Sequence, residues 1–131
     1  MVAIASLEDA LAMRLGVRST VRRVDIHIHV ARHIAARRPA EVEFVLAHLE
    51  WAIRDPQLVG RAPDRPDRLH LVRAVGAGAW LHVVVKHVGA HRSASTTDEL
   101  WVSTAYRVGE ASLRRLTKRI TLLPNTLERQ R

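Results

Sequence analysis

The feature that most limits the fold of this chain is a change in the spacing of its apolar residues about halfway along. Over Ala40–Arg54, Val42, Val45, Leu46, Leu49 and Ile53 recur at helical intervals, while Glu41, Glu43 and Glu50 fall elsewhere around the axis. Beyond the middle the interval becomes two: Leu69 and Leu71 alternate with Arg68 and His70, and Leu81, Val83 and Val85 alternate with His82 and Lys86. The first pattern is that of an amphipathic helix and the second that of half-buried strands. Between them, Gly60–Asp67 carries Pro63 and Pro66 and is expected to be a loop. Helices first and a β-meander second predict an α+β domain, with N-terminal helices packed on one face of a small antiparallel sheet. The other face is then expected to be free to meet a ligand.

The remaining segments fit this plan. Ser6 and Asp9 open a helix over residues 6–15, with Leu7, Leu11 and Leu15 on one side and Gly16 placed to end it. Val24, Ile26 and Ile28 alternate with Asp25, His27 and His29, the period of a strand. From His29 the pattern turns helical and should stop before Pro39, and Pro56 should stop the long helix. Gly76 and Gly78 supply a tight connection into a strand at Trp80–Val88. A polar loop at Gly89–Asp98 leads to a third strand at Leu100–Arg107, and Glu110–Ile120 is read as a closing helix. A chain of 131 residues is the length of one domain, and no internal repeat divides it.

Composition excludes several classes. Apolar residues make up 47%, enough for a sizeable core. No apolar run approaches the roughly 18 residues of a membrane span; the densest, Val83–Val85, lies between His82 and Lys86. Met1–Leu15 carries Glu8 and Asp9 without a basic leader, so no secretory signal is expected and the protein is expected to be cytoplasmic, with delivery into a target cell as a variant. There is no cysteine, hence no disulfide and no thiolate zinc site. The eight histidines include two sequence groups, His27, His29 and His33, and His82, His87 and His91. No HExxH motif occurs and the carboxylates do not cluster with these groups, so neither a metal nor another cofactor is expected.

Charge is more informative. Lys and Arg total 21 against 13 Asp and Glu, a net charge of +8, and every basic residue except Lys86 and Lys118 is arginine. Residues 1–40 hold seven basic and three acidic groups, residues 41–70 four and six, and residues 71–131 ten and four. Such an imbalance favours a polyanionic partner, nucleic acid or an acidic protein, although an Arg- and Ala-rich composition also follows from genomic base bias.

Three stretches in order resemble the phage-associated branch of the Barnase–EndoU–colicin–RelE (BECR) superfamily of ribonuclease domains. They are His33-Ile34-Ala35-Ala36-Arg37-Arg38-Pro39, opening a helical pair that ends at Asp55-Pro56; the apolar hairpin Arg68–Val75 and Trp80–Lys86; and Ser103-Thr104-Ala105-Tyr106-Arg107, a strand end of the "TAY" type. The resemblance covers about residues 20–108, leaving the helix at 6–15 and the extension at 109–131 unmatched. Many members carry histidine where this chain has Arg38. The resemblance implies metal-independent cleavage of RNA by a toxin-type protein, held in check by an acidic immunity or antitoxin partner. It also implies that Thr104 or Tyr106 is aimed at the site, whereas strict alternation with Leu100 and Val102 would put both on the core face.

RNA supplies its own nucleophile, the 2′-hydroxyl, so an enzyme needs only proton transfers and a cation for the phosphorane. Histidine suits the first task and Arg or Lys the second. His29, His33 and Arg37 are spaced i, i+4, i+8, and would form one polar stripe on a helix. Arg68, His70, His82 and Lys86 would share one sheet face as a phosphate cradle, unless that face is merely solvated. Of Trp51, Trp80 and Trp101, Trp51 is expected to pack in the core and Trp80, sharing parity with His82, is the candidate for base stacking. The catalytic candidates are therefore His33, Arg37, Lys86, Thr104 and Tyr106, and the RNA-binding candidates Arg38, Arg68, His70, Trp80, His82 and Arg107. The substrate would be tRNA, rRNA or mRNA. Two other classes share the same charge: a non-catalytic RNA-binding module and an interaction protein for an acidic partner.

Overall fold

In chain order the elements are strand β1 (Val2–Ser6), helix α1 (Asp9–Leu15), strand β2 (Arg23–Ile26), helix α2 (Ile28–Arg37), a 3-10 turn (Pro39–Glu41) and helix α3 (Val42–Arg54). Strands β3 (Leu58–Ala62), β4 (Arg65–Gly76), β5 (Ala79–Val88) and β6 (Glu99–Val108), helix α4 (Glu110–Arg119) and strand β7 (Thr121–Leu122) follow. They come from a computed structural model that describes residues 2–17, 22–37, 39–88 and 99–122. The expected loop Gly89–Asp98, together with Arg38 and His91, lies outside the described residues.

The fold is α+β, built on a seven-stranded sheet in the order β1-β2-β6-β5-β4-β3-β7. It is mixed rather than wholly antiparallel: β2 joins β6 in parallel at Asp25–Trp101, and the other pairings are antiparallel. One face carries the main core. Val45, Leu49, Ala52 and Ile53 of α3 pack on Leu69, Leu71, Leu81, Val83 and Val85 from the central strands, all buried. Leu11, Ala12 and Leu15 of α1 and Ile34 of α2 join the same cluster. Helix α1 ends as its sequence requires. Gly16 takes a left-handed φ of 75°, and the N–H groups of Gly16 and Val17 bond back to Met13 and Ala12.

The second face is not bare. Leu116 and Ile120, in and just after α4, cover Val72, with Leu58, Ala62, Trp80 and Leu113 packed around them. The expectation that helices would occupy one face only is therefore corrected: α4 roofs part of the face assigned to a ligand. Its apolar residues, Leu113, Leu116 and Ile120, recur at helical intervals and need a partner, and Val72 is the buried apolar residue of that face on which they close.

Three further expectations change. The loop at Gly60–Asp67 is a hairpin, with β3 and β4 joined at residues 63–64. Pro66 falls in the stretch between the pairs Arg61–Leu69 and Ala62–Arg65, where the register slips, so the strand survives a residue with no N–H to donate. The strand around Val24 stops at Ile26, and Ile28 opens α2 with its side chain exposed. Strand β1 had no marked alternation and was not expected.

The most consequential departure is a bulge in β6. Val84 faces Thr104 and Val85 faces Val102, which leaves Ser103 as an extra residue in that strand. Leu100 and Val102 remain in the core, but after the bulge Ala105 takes the core side. Thr104 and Tyr106 turn to the opposite face, beside Val84 and His82. Parity alone misplaces both.

Candidate functional site

The second face can be followed row by row from the strand registers. Tyr106, His82 and Val72 are cross-strand neighbours; the next row holds Thr104, Val84 and His70; beyond the bulge, Trp101, Lys86 and Arg68 are aligned, with Asp25 beside Trp101. Strand β2 meets β6 at Trp101, and α2, which follows β2, runs beside β6. Ile34 anchors α2 in the core, leaving His33 and Arg37, one turn apart, exposed. Between α2 and β6 lies a cleft of about 210 Å³ lined by His33, Ile34, Arg37, Thr104, Ala105 and Tyr106. Four of the five catalytic candidates thus line one cleft, and they come from two elements far apart in sequence.

Behind Tyr106 stands a buried polar chain. His82 is 2% exposed, its Nδ1 lies 2.7 Å from the Tyr106 hydroxyl, and its Nε2 lies 2.9 Å from His70 Nδ1. The two imidazoles stack at 5.1 Å, and the Tyr106 ring meets His82 edge-on at 4.9 Å. Burial, reinforced by His70 and Arg119, pushes His82 down to about 3. Burial, then Arg119 and Arg68, also lowers His70. Desolvation disfavours the imidazolium, and nearby guanidinium groups disfavour it further. His82 is therefore neutral at pH 7, with one ring nitrogen donating and the other accepting. The expectation that it forms part of an open RNA-binding surface does not hold.

A second cleft, of about 600 Å³, opens on the far side of Thr104, where Arg65, Arg68, His70 and Arg119 are among the lining residues, with Asp64 the one carboxylate. Thr104 lines both clefts, and His70 joins the buried chain to this one. Arg119 and Arg65 were not singled out from sequence. The signal was present for Arg119, in the last turn of a helix whose apolar residues require the second face.

The other candidates lie elsewhere. Lys86 is not among the residues lining the His33 cleft; its Nζ stands 5.7 Å from the Trp101 ring, cross-strand from Arg68. His29 stacks on His27 at 5.0 Å, and His27 meets Trp101 edge-on. Trp80 packs with the cluster beneath α4 rather than standing open for a base. Arg107 shares the α3 side of the sheet with Ala105 and lies 5.3 Å over the Phe44 ring. Trp51, expected in the core, is 43% exposed and carries the Arg73 guanidinium at 3.9 Å over its ring.

Among the described residues no three or more His, Cys, Asp or Glu side chains converge as a metal site would require, and no described helix is long and apolar enough to cross a membrane. No family model, curated protein or solved structure matches the chain.

Proposed function

We propose that this domain is a metal-independent endoribonuclease of toxin type, which cleaves RNA by attack of the 2′-hydroxyl and leaves 2′,3′-cyclic phosphate ends. The observation that carries it is the cleft shared by His33, Arg37, Thr104 and Tyr106, which pairs a group able to take a proton with a fixed cation and two hydroxyls. His33 removes the 2′-proton as the 2′-oxygen bonds to phosphorus. Arg37 and the Thr104 hydroxyl hold the non-bridging oxygens as charge builds on the phosphorane. Tyr106 protonates the departing 5′-oxygen. Lys86, outside this cleft, is assigned with Arg68 to the RNA backbone further along the strand rather than to the scissile phosphate. The substrate is cytoplasmic RNA, and an acidic partner protein would neutralise the enzyme by covering the basic clefts.

The test is incubation of purified protein with total RNA in EDTA, followed by chemical analysis of the fragment ends. Cyclic phosphate ends support the mechanism. Arg38, where many members of the resembled superfamily have histidine, favours a second reading, an RNA-binding module without catalysis. Intact RNA that nonetheless binds the protein would establish that reading instead.

A further inference from the structure

We propose that Tyr106, His82 and His70 form a proton path joining the His33–Arg37 cleft to the arginine-lined cleft beyond Thr104, with Tyr106 as the catalytic residue at one end and His70 as the proton source at the other. The inference rests on the ribonuclease reading and supplies what it lacks, a source for the proton that Tyr106 gives away.

The path is continuous in its heavy atoms. The Tyr106 hydroxyl lies 2.7 Å from His82 Nδ1, and His82 Nε2 lies 2.9 Å from His70 Nδ1. Its two ends open on different clefts, since Tyr106 lines the one with His33 and Arg37 while His70 lines the one with Arg65, Arg68 and Arg119. His82 and Tyr106 also line a cleft of about 480 Å³ beneath α4, but His82 is only 2% exposed and both its ring nitrogens are engaged, so the imidazole is the direct route for the proton. A neutral His82 carries one ring proton, so donating towards Tyr106 obliges it to accept from His70, and the reverse arrangement reverses both bonds.

In the proposed step the 2′-oxygen, its proton passing to His33, bonds to phosphorus as the P–O5′ bond breaks. The Tyr106 proton goes to the 5′-oxygen, the His82 Nδ1 proton goes to the Tyr106 oxygen, and the His70 Nδ1 proton goes to His82 Nε2. His70 enters as imidazolium and leaves neutral, His33 leaves as imidazolium, and Tyr106 and His82 end as neutral as they began. The charged groups around His70 are Arg68 on its own strand, Arg119 of α4, and Arg65 and Asp64 at the β3–β4 turn, while Arg115 and Lys118 of α4 flank the His82–Tyr106 end. In the free protein burial, and then Arg119 and Arg68, oppose an imidazolium at position 70. An RNA phosphate seated among Arg65, Arg68 and Arg119 sets an anion beside the ring and favours its charged form.

The decisive comparison is between the parent protein, His70→Ala and His70→Gln on one RNA substrate. A glutamine has an amide N–H to offer His82 but no proton to transfer. If the path operates, both variants lose roughly tenfold or more in kcat with KM little changed. The fall in parent kcat as pH rises through the His70 titration disappears in both, and added imidazole restores activity to His70→Ala. In nitrogen-15 labelled parent protein, a scalar coupling across the hydrogen bond between His70 Nδ1 and His82 Nε2 is also expected. Absence of that coupling, or parental activity and pH profile in His70→Gln, overturns the path while leaving the ribonuclease reading intact. A parent protein that cleaves no RNA removes the ribonuclease reading and the path with it.

Discussion

His82 illustrates how much one buried side chain can say. It sits beneath α4 with both ring nitrogens engaged, and burial holds it down at about 3 against an ordinary 6.5. The unfolded chain therefore binds more protons than the folded one between those two values. Stability rises with pH across that window and is lost as pH falls from about 6.5 towards 3, by at most about 1.4 kcal/mol per pH unit. His70, lowered in the same direction, adds to the same slope. Melting curves at pH 7 and pH 4 should show a larger drop in Tm for the parent than for His82→Gln, and equal drops would mean that His82 is solvated. His33 is the opposite case, an exposed side chain whose removal should leave Tm alone. His33→Ala should fold and bind RNA normally yet cleave about 10²–10⁴ times more slowly, the usual cost of a general acid–base group. Full activity in that variant would move the proton-taking role to another residue. His33 and Arg37 were legible in the sequence because any helix preserves their spacing of four. The burial of His82 was not, because strand parity names a face without saying what covers it.

At the level of elements, the core side of the meander was readable and its interruptions were not. Leu69, Leu71, Leu81, Val83 and Val85 alternate strictly and all pack against α3. Val83→Ala should therefore cost about 1–3 kcal/mol, through lost burial and an incompletely closed cavity. An unchanged unfolding midpoint in denaturant would place Val83 on the wrong side. The bulge at Ser103 escapes such reading, since one inserted residue reverses the parity of everything after it. It is also what takes Thr104 and Tyr106 out of the core and gives the cleft its hydroxyls. Strand β3 was hidden for a different reason: Pro63 and Pro66 mark a loop, yet the turn needs only residues 63–64 and the hairpin tolerates the second proline in an irregular stretch. The parallel contact between β2 and β6 joins residues far apart along the chain, and no local pattern announces it.

For the molecule as a whole, the net charge of +8 acquires a direction once the fold is known. Arg37 stands at one cleft, and Arg65, Arg68 and Arg119 at the other, with Thr104 common to both. A single RNA strand crossing β6 at Thr104 would meet these cations in succession. Each phosphate neutralised releases condensed counterions, so log K should fall linearly with log salt, with a slope of about −0.7 for each contact to a single strand. With Lys86, cross-strand from Arg68, five such contacts predict a slope of about −3.5, on the order of a hundredfold loss of affinity between 50 and 200 mM salt. Arg68→Gln and Arg119→Gln should each make the slope shallower by about 0.7 and weaken binding to all sequences alike, because phosphate contacts carry no base information. Neither substitution touches His33, so cleavage at saturating RNA should fall far less than binding does. Fluorescence anisotropy with a labelled single-stranded RNA across that salt range measures the slope directly. A flat response in the parent, or variants with the parental slope, would remove RNA phosphate from these clefts and leave the acidic protein as the partner their charge selects.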